Sequence, residues 1–361
     1  MAPSSWRRFG IREAIPAALF CLLIAFAPTT STAQQALDAS IMQTPQVVKF
    51  GVPMPPNVPP APDIDPTTLI NIPVTVIDHH GRCVDSLDAR DFSLRVDGWK
   101  SPIALFRRNR ATAAALGVLV DISQGMSFQS FSGPLYSKIP SALDAVESLL
   151  ARLDSQDRVF LAAFARRFHI IEDLTTDHQA IDDRLSMVRP ADRSERDADG
   201  IYESMIKGIA MLANASKSDD RRALVVFTSA LYDTSTHGVE DVIARAQFAG
   251  VTVYNVVLLG YAHDTDPSVI RGTIGRIADE TGGQTFILKW RDEGDILDAA
   301  AEVTSELDSQ YVVGFAPMPS HDGVLGVNLT MSDPALSVHA PRAVRFRRDR
   351  FKGQLSMMLP E

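Results

Sequence analysis

Apolar residues follow two alternating spacings in the middle of the chain. Strand patterns occur at 116–120, 159–164, 223–227, 251–258 and 285–288, and the first is a continuous apolar run, typical of a strand covered on both faces. Between them, apolar residues recur every three or four positions, which predicts helices at 139–153, 178–188, 201–214, 239–249, 268–280 and 294–309. This alternation predicts an α/β fold with a doubly wound, mostly parallel sheet. The segment 168–171 is expected to pair with the preceding strand as a short edge, and Gly282-Gly283 to end a helix in a left-handed turn.

Strand patterns without helices flank this region on both sides. They lie at 70–77, 92–96 and 103–106 before it, and at 311–315, 324–331 and 336–345 after it. Asp97-Gly98 is a strong signal for a hairpin turn. Because so few strands cannot bury their apolar faces alone, we expect the two flanks to pair into one β-sandwich, with the α/β domain inserted between them. The alternative is two flaps that do not pair.

The beginning of the chain has the pattern of an export signal. Arg7, Arg8 and Arg12 precede an apolar run from Ala14 to Ala27, and Ser31-Thr32-Ala33 fits a cleavage site. We therefore predict a signal peptide over residues 1–33, with an uncleaved N-terminal anchor as the alternative. The proline-rich segment 34–66 is expected to be an extended linker. The protein would then be exported, to the periplasm or the exterior, with no membrane insertion after cleavage.

Composition supports a globular protein and excludes one class of partner. Apolar residues make up 45% of the 361 residues and charged residues 22%. The net charge of −9 provides no broad basic surface for nucleic-acid phosphates, so no nucleic-acid partner is expected. Cleavage of the signal peptide would remove Cys21 and leave Cys83 as the only cysteine, which excludes an internal disulfide.

The first buried strand ends in residues that could carry chemistry. Asp121 follows Leu119-Val120, and Ser123 lies two residues further on. In doubly wound sheets, ligands bind outside the carboxyl ends of the strands, where these residues are expected. Carboxylate and hydroxyl oxygens suit a hard cation such as Mg²⁺ or Mn²⁺. The same Asp-x-Ser pattern is also common at helix caps and turns.

The chain resembles bacterial secreted proteins that carry a von Willebrand factor type A domain, the VWFA-related family. The resemblance covers residues 70 to about 347. It is carried by an ordered set of segments: Val76-Ile77-Asp78 with Gly81, Asp91-Phe92-Ser93-Leu94 with Asp97-Gly98, Leu119-Val120-Asp121-Ile122-Ser123, Ile201-Tyr202-Glu203, Arg222-Ala223-Leu224-Val225-Val226-Phe227, Gly250-Val251-Thr252-Val253-Tyr254, Ala278-Asp279-Glu280-Thr281-Gly282-Gly283 and Ser309-Gln310-Tyr311-Val312-Val313-Gly314-Phe315.

This resemblance implies a metal-ion-dependent adhesion site, in which a bound cation accepts an acidic residue of a protein partner. The family pattern is Asp-x-Ser-x-Ser, a Thr on a second loop and an Asp after the fourth strand. Asp121 and Ser123 match its first two ligands, whereas Gly125 replaces the second Ser. Asp199 falls at the Thr position and Ser229 at the last Asp position, with Asp233 four residues beyond.

Two interpretations of this degenerate site remain open at the level of sequence. In the first, Asp121, Ser123 and Asp199 hold Mg²⁺ or Mn²⁺, with Ser229 or Asp233 as a further ligand. In the second, the site has lost its metal, and the domain is a metal-free scaffold for interactions. Ligand charge and number favour the second interpretation.

Other candidate residues are weaker. His79-His80 lies in a predicted turn without a further ligand nearby, so exposure to solvent explains it better than metal binding. The charged loop 192–199 and the aromatic loop 127–136 border the same edge of the sheet and would suit partner contacts. Cys83 is expected to be a small buried or turn residue rather than a reactive thiol.

The sequence motifs give little support to an enzymatic function. The chain has no Gly-x-Ser-x-Gly elbow, no Gly-x-Gly-x-x-Gly after the first buried strand and no phosphate loop. A phosphotransfer site at Asp121 is the remaining enzymatic alternative. We therefore predict an exported, non-enzymatic protein-binding module. Its expected domains are a signal peptide (1–33), a linker (34–66), a sandwich half (67–111), the type A domain (112–309), the second sandwich half (310–348) and a tail (349–361).

Overall fold

The computed structural model describes residues 69–109, 112–129, 135–192, 200–216, 220–230, 234–260, 266–316 and 323–345. The predicted signal peptide and linker lie outside these residues. Within them, no helix is both long enough and apolar enough to cross a membrane.

A six-stranded sheet forms the centre of the α/β part. Its strands are β5 (Ala114–Asp121), β8 (Arg158–Phe164), β9 (Phe168–Thr175), β10 (Arg221–Thr228), β11 (Val251–Leu259) and β12 (Thr285–Lys289). Their spatial order is β12-β11-β10-β5-β8-β9, with every neighbouring pair parallel except β8 and β9. All eight residues of β5 are buried, as expected of a strand covered on both faces.

Helices cover both faces of this sheet and bury two separate apolar cores. They are α1 (Ile139–Leu150), α2 (His178–Leu185), α3 (Ile201–Ala215), α4 (Val239–Ala249), α5 (Pro267–Ile270), α6 (Arg276–Thr281) and α7 (Glu293–Asp308). One core packs α1 and α7 against one face, and the other packs α3, α4 and α6 against the opposite face. The predicted doubly wound α/β sheet is therefore confirmed.

The flanking segments pair with each other, also as predicted. One sheet has the order β15-β1-β13-β4 and the other β16-β14-β2-β3, so each contains strands from both ends of the chain. Apolar residues of the two sheets pack into one shared core. The strands are β1 (Ile70–Ile77), β2 (Phe92–Val96), β3 (Trp99–Ser101), β4 (Leu105–Arg108), β13 (Tyr311–Phe315), β14 (Val324–Met331), β15 (Ser337–His339) and β16 (Ala343–Arg345).

Two predicted turns adopt the expected backbone. Asp97 and Gly98 both have positive φ, 48° and 82°, which is the conformation that a two-residue hairpin between β2 and β3 requires. Gly282 ends α6 with a left-handed φ of 82°. A short hairpin of β6 (Ser127–Gln129) and β7 (Leu135–Ser137) follows β5.

Several elements differ in detail from the sequence prediction. The strand predicted at 103–106 runs from Leu105 to Arg108. The edge strand predicted at 168–171 extends to Thr175. The segment 336–345 forms two short strands, separated at Pro341. The helix predicted over 268–280 is interrupted by a π turn at Arg271–Gly275, where the buried Asn255 side chain donates a 2.9 Å hydrogen bond to the Ile274 carbonyl.

Candidate functional site

Asp121 is the last residue of β5 and is fully buried at the carboxyl edge of the central sheet. The apolar run 114–120 places it between β10 and β8, so its carboxylate cannot reach bulk solvent. An ionised carboxylate in such a place is unfavourable unless hydrogen bonds or a cation compensate the charge.

Three donors from two strand ends bind the Asp121 carboxylate. The Ser123 N–H donates to Oδ1 at 2.8 Å. Thr228 Oγ1 donates to Oδ2 at 2.8 Å, and the Ser229 N–H donates to the same oxygen at 3.3 Å. Burial raises the pKa of Asp121 above its ordinary value, and the hydrogen bonds from Ser123, Thr228 and Ser229 act in the opposite direction. The chain thus partly compensates this charge itself.

Ser229 adds a further polar group beside the carboxylate. The residue is fully buried, and within the described part of the chain its Oγ has no hydrogen-bond partner. Its backbone N–H contact with Asp121 keeps it at the same edge of the sheet. A buried hydroxyl without a partner is costly in a folded protein, and such groups often mark places where a water, an ion or a ligand binds.

Ser123 opens a short 3₁₀ turn that crosses this edge. The turn runs from Gln124 to Met126, and the Ser123 side chain makes no capping bond to it. Ser123 and Gly125 are buried, whereas Gln124 is exposed. The turn therefore presents one solvent-accessible side chain directly after the buried Ser123.

A second element anchors the loop that follows β10. Oε1 of Glu203, in the first turn of α3, accepts hydrogen bonds from the Thr236 N–H, Thr236 Oγ1 and the His237 N–H, at 2.6, 2.8 and 3.2 Å. Burial raises the pKa of Glu203, but the hydrogen bonds from Ser235, Thr236 and His237 outweigh it and lower the pKa to about 2. Glu203 thus ties the start of a helix to a loop at the same edge.

The structure brings some of the predicted site residues together and leaves others untested. Asp121, Ser123 and Ser229 lie within hydrogen-bond reach of one another through the Asp121 carboxylate. Asp199 and Asp233 lie outside the described residues. Gly200, which follows Asp199, donates its N–H to the Ala165 carbonyl at 2.9 Å, just beyond the end of β8.

Two residues at this edge of the sheet were not predicted from the sequence. Thr228 binds Asp121 directly, and its position as the last residue of the strand beside β5 could have indicated it. Lys138, at the start of α1, is buried, and its Nζ donates to the Leu258 carbonyl at 2.8 Å near the end of β11. No local pattern singles out that lysine, because its partner Leu258 lies 120 residues further along the chain.

The side-chain oxygens of the described residues can supply only part of the coordination shell of a divalent cation. Asp121 and the hydroxyls of Ser123 and Ser229 are hard donors, but Mg²⁺ requires six oxygen ligands in octahedral geometry. Within the described ranges there is no group of three or more His, Cys, Asp or Glu side chains that could hold a metal ion. A site built on Asp121, Ser123 and Asp199 therefore stays a prediction that depends on a residue outside those ranges.

The weaker candidates have ordinary surroundings. His79 and His80 are exposed in a turn, and their rings lie 3.8 Å apart. Cys83 is partly buried, with Sγ 3.6 Å from Ser305 Oγ, and burial raises its thiol pKa. The loops 127–136 and 192–199 lie partly outside the described residues.

Comparisons with known proteins show a similarity over the region that carries this site. Residues 116–231 match the family model of the von Willebrand factor type A domain, and they include Asp121, Ser123 and Ser229. No curated protein matches the chain.

Solved structures give similarities at low sequence identity. A von Willebrand factor type A protein from Catenulispora acidiphila is 11% identical, with 82% of this chain and 78% of that one covered and a TM-score of 0.45. The conserved hypothetical protein BatB from Bacteroides thetaiotaomicron is 16% identical over 54% of this chain and 98% of that one, with a TM-score of 0.41.

Proposed function

We propose that the von Willebrand factor type A domain of this chain is an exported protein-binding module, and that it binds its partner at the carboxyl edge of the central sheet. The supporting observation is the buried polar cluster of Asp121, Ser123, Thr228 and Ser229 at the ends of two neighbouring strands. This edge is where doubly wound sheets bind ligands. Type A domains are mostly interaction modules, which agrees with this assignment.

Surface residues at the same edge have the composition of a binding site. Tyr136 is the central residue of β7, and its ring centroid lies 6.2 Å from that of Trp290, the residue after β12. The Arg291 guanidinium lies 5.6 Å from the Tyr136 ring and 5.0 Å from the Trp290 ring. Trp, Tyr and Arg are the residues most enriched at energetically important positions of protein interfaces.

The proposal does not require a bound metal. Three protein donors already satisfy part of the Asp121 charge, so the edge can be polar and ordered without a cation. Mg²⁺ or Mn²⁺ bound through Asp121, Ser123 and Asp199 is the alternative form of the same site. A metal titration distinguishes the metal-free form from the metal-bound form.

Binding also agrees better with the geometry than phosphotransfer does. A phosphate-accepting carboxylate must be approached by its substrate, whereas Asp121 is fully buried and its two oxygens accept three hydrogen bonds. We therefore expect no hydrolysis of p-nitrophenyl phosphate above background. Hydrolysis that Asp121→Ala abolishes would favour the enzymatic alternative.

Site-specific photo-cross-linking in the native host tests the proposed surface. Gln124 is exposed on the turn above Asp121, and Gln156 is an exposed glutamine at the opposite edge, two residues before β8. A photoreactive residue at position 124 is expected to give an adduct with one discrete protein, and the same residue at position 156 is not. No adduct from 124, or equal adducts from both positions, would contradict the proposal.

A further inference from the structure

Glu306 lies on α7, the last helix of the α/β part, and is fully buried where this helix meets the sandwich. Its carboxylate has one partner on each side of the junction. Oε2 accepts a 3.1 Å hydrogen bond from the Tyr254 hydroxyl, on β11 of the central sheet. Oε1 lies 3.2 Å from Nδ1 of His339, on β15 of the sandwich. One buried carboxylate therefore joins the two parts of the fold.

The backbone of the same residue makes a further contact with the sandwich. Thr75 Oγ1, on β1, donates to the Glu306 carbonyl at 3.4 Å. Because β1 and β15 are neighbours in one sheet, both contacts attach that sheet to α7. Cys83, bridged to Ile77 at the end of β1, lies against Ser305 at the same place.

Three acidic groups act on His339. Glu306 and Glu302 face it from α7, and Asp279 from α6. Glu302 is itself held by Gln284, whose Nε2 donates to Oε1 at 3.2 Å. Glu306 and Glu302 also act on Tyr254 and Cys83, the other titratable groups at the junction. A protonated imidazole at position 339 therefore faces carboxylates from two helices.

We propose that Glu306 and His339 form a proton-operated clamp between the type A domain and the sandwich. With His339 protonated, the clamp is a buried ion pair that holds β15 against α7. When the proton leaves, His339 no longer presents a positive charge to Glu306 Oε1, whereas the Tyr254 hydrogen bond to Oε2 is unaffected. An unpaired buried carboxylate is costly, so the sandwich then attaches less firmly to α7.

The sign of the pH dependence follows from the surroundings of His339. Burial lowers its pKa, but the hydrogen bond to Glu306 and the charges of Glu306, Glu302 and Asp279 outweigh burial and raise the pKa above 6.5. The native state therefore binds this proton more tightly than the unfolded chain. Its stabilising contribution is complete below pH 6.5 and is lost as the pH rises through the native pKa.

Thermal unfolding of His339→Gln against the wild-type chain tests the clamp. Between pH 6 and pH 8 we expect the wild-type Tm to fall by about 2 °C or more beyond the fall in His339→Gln. His80→Gln, at an exposed histidine in a turn, is the matched control and should keep the wild-type slope. If His339→Gln keeps the full wild-type slope, the clamp does not exist.

Two measurements on the wild-type junction remain decisive if His339→Gln does not fold. The NMR titration of the His339 ring should have its midpoint above 6.5, and a midpoint at or below 6.5 overturns the proposal. In a Cys21→Ser background, maleimide labelling of Cys83, normalised to the rate in the unfolded chain, should increase between pH 6 and pH 8. A constant normalised rate would show that the junction does not loosen and would also overturn it.

Discussion

The hydroxyl of Thr228 donates a 2.8 Å hydrogen bond to the carboxylate of Asp121, and this bond connects the ends of two neighbouring parallel strands. Both side chains are fully buried. The Thr228 oxygen also accepts a 2.9 Å hydrogen bond from the Ala230 N–H, whose residue has a positive φ of 51°. Thr228 therefore orders the loop after β10 as well as the carboxylate.

Thr228→Val should destabilise the fold through this bond. Valine keeps the shape of the side chain but removes both the donor to Asp121 and the acceptor for Ala230. We expect the free energy of unfolding to fall by about 1–3 kcal/mol, the usual cost of leaving a buried partner unsatisfied. Urea unfolding measures this difference.

Thr252→Val is the matched control for that substitution. Thr252 is equally buried on the adjacent strand, but its Oγ1 has no partner among the described residues. Removing this hydroxyl should change the stability by less than about 0.5 kcal/mol or increase it. Equal losses in both variants would mean that the Thr228–Asp121 bond has no special weight.

The loss of stability in Glu203→Gln should depend on pH. The Glu203 pKa of about 2 lies below the ordinary value of 4.5, so its contribution is present above pH 4.5 and disappears as the pH falls towards 2. The variant should therefore unfold at a lower temperature than wild type at pH 6, with the gap closing between pH 4.5 and pH 2. Glu147→Gln, at an exposed position on α1, should match wild type throughout. A constant gap for Glu203→Gln would contradict the role of its charge.

Gly282→Ala should be more harmful than Gly250→Ala. Both glycines end a helix with positive φ, so both substitutions carry a conformational cost of about 1 kcal/mol. A Cβ at Gly282 would also lie 2.8 Å from the Ala340 carbonyl carbon in the sandwich, whereas a Cβ at Gly250 meets nothing within 4 Å. Thermal unfolding should place Gly282→Ala several degrees below Gly250→Ala. Equal Tm values would show that the contact with the sandwich adjusts freely.

Divalent metal should leave the stability of the protein unchanged in the metal-free form of the site that we favour. We expect the same Tm, within 1 °C or so, in millimolar Mn²⁺, in millimolar Mg²⁺ and in a chelator, because a ligand that binds only the native state must raise Tm. A rise that chelation reverses and Asp121→Asn removes would establish the metal-binding form instead.

The pattern of apolar residues predicted most of this fold because that pattern records burial. Every residue of β5 is buried, and its continuous apolar run indicates a strand covered on both faces. Hairpin and helix-end glycines were predictable for a similar local reason, since only certain residues adopt positive φ at low cost. The π turn at Arg271–Gly275 was not predictable, because it accompanies a hydrogen bond from Asn255, a residue on a distant strand.

Only those residues of the candidate site that lie at the ends of strands could be predicted from the sequence. Asp121 and Ser123 follow an obvious strand, and the resemblance to type A domains pointed to Ser229. Thr228 could have been inferred from its place at the end of the neighbouring strand, whereas Glu203 and Lys138 have roles that depend on which loops and helices meet in space. The Glu306–His339 junction was missed for the same reason, since 33 residues separate its two members.

The most direct test of the account is the affinity of this domain for the protein that cross-links at position 124. The dissociation constant should be measured for wild type, for Gln124→Arg on the exposed turn after β5 and for Gln156→Arg at the opposite edge. We predict that Gln124→Arg binds at least about tenfold more weakly, which corresponds to about 1.4 kcal/mol, and that Gln156→Arg binds as wild type does. Equal affinities for wild type and Gln124→Arg in folded protein would contradict the claim that the carboxyl edge around Asp121 is the binding site.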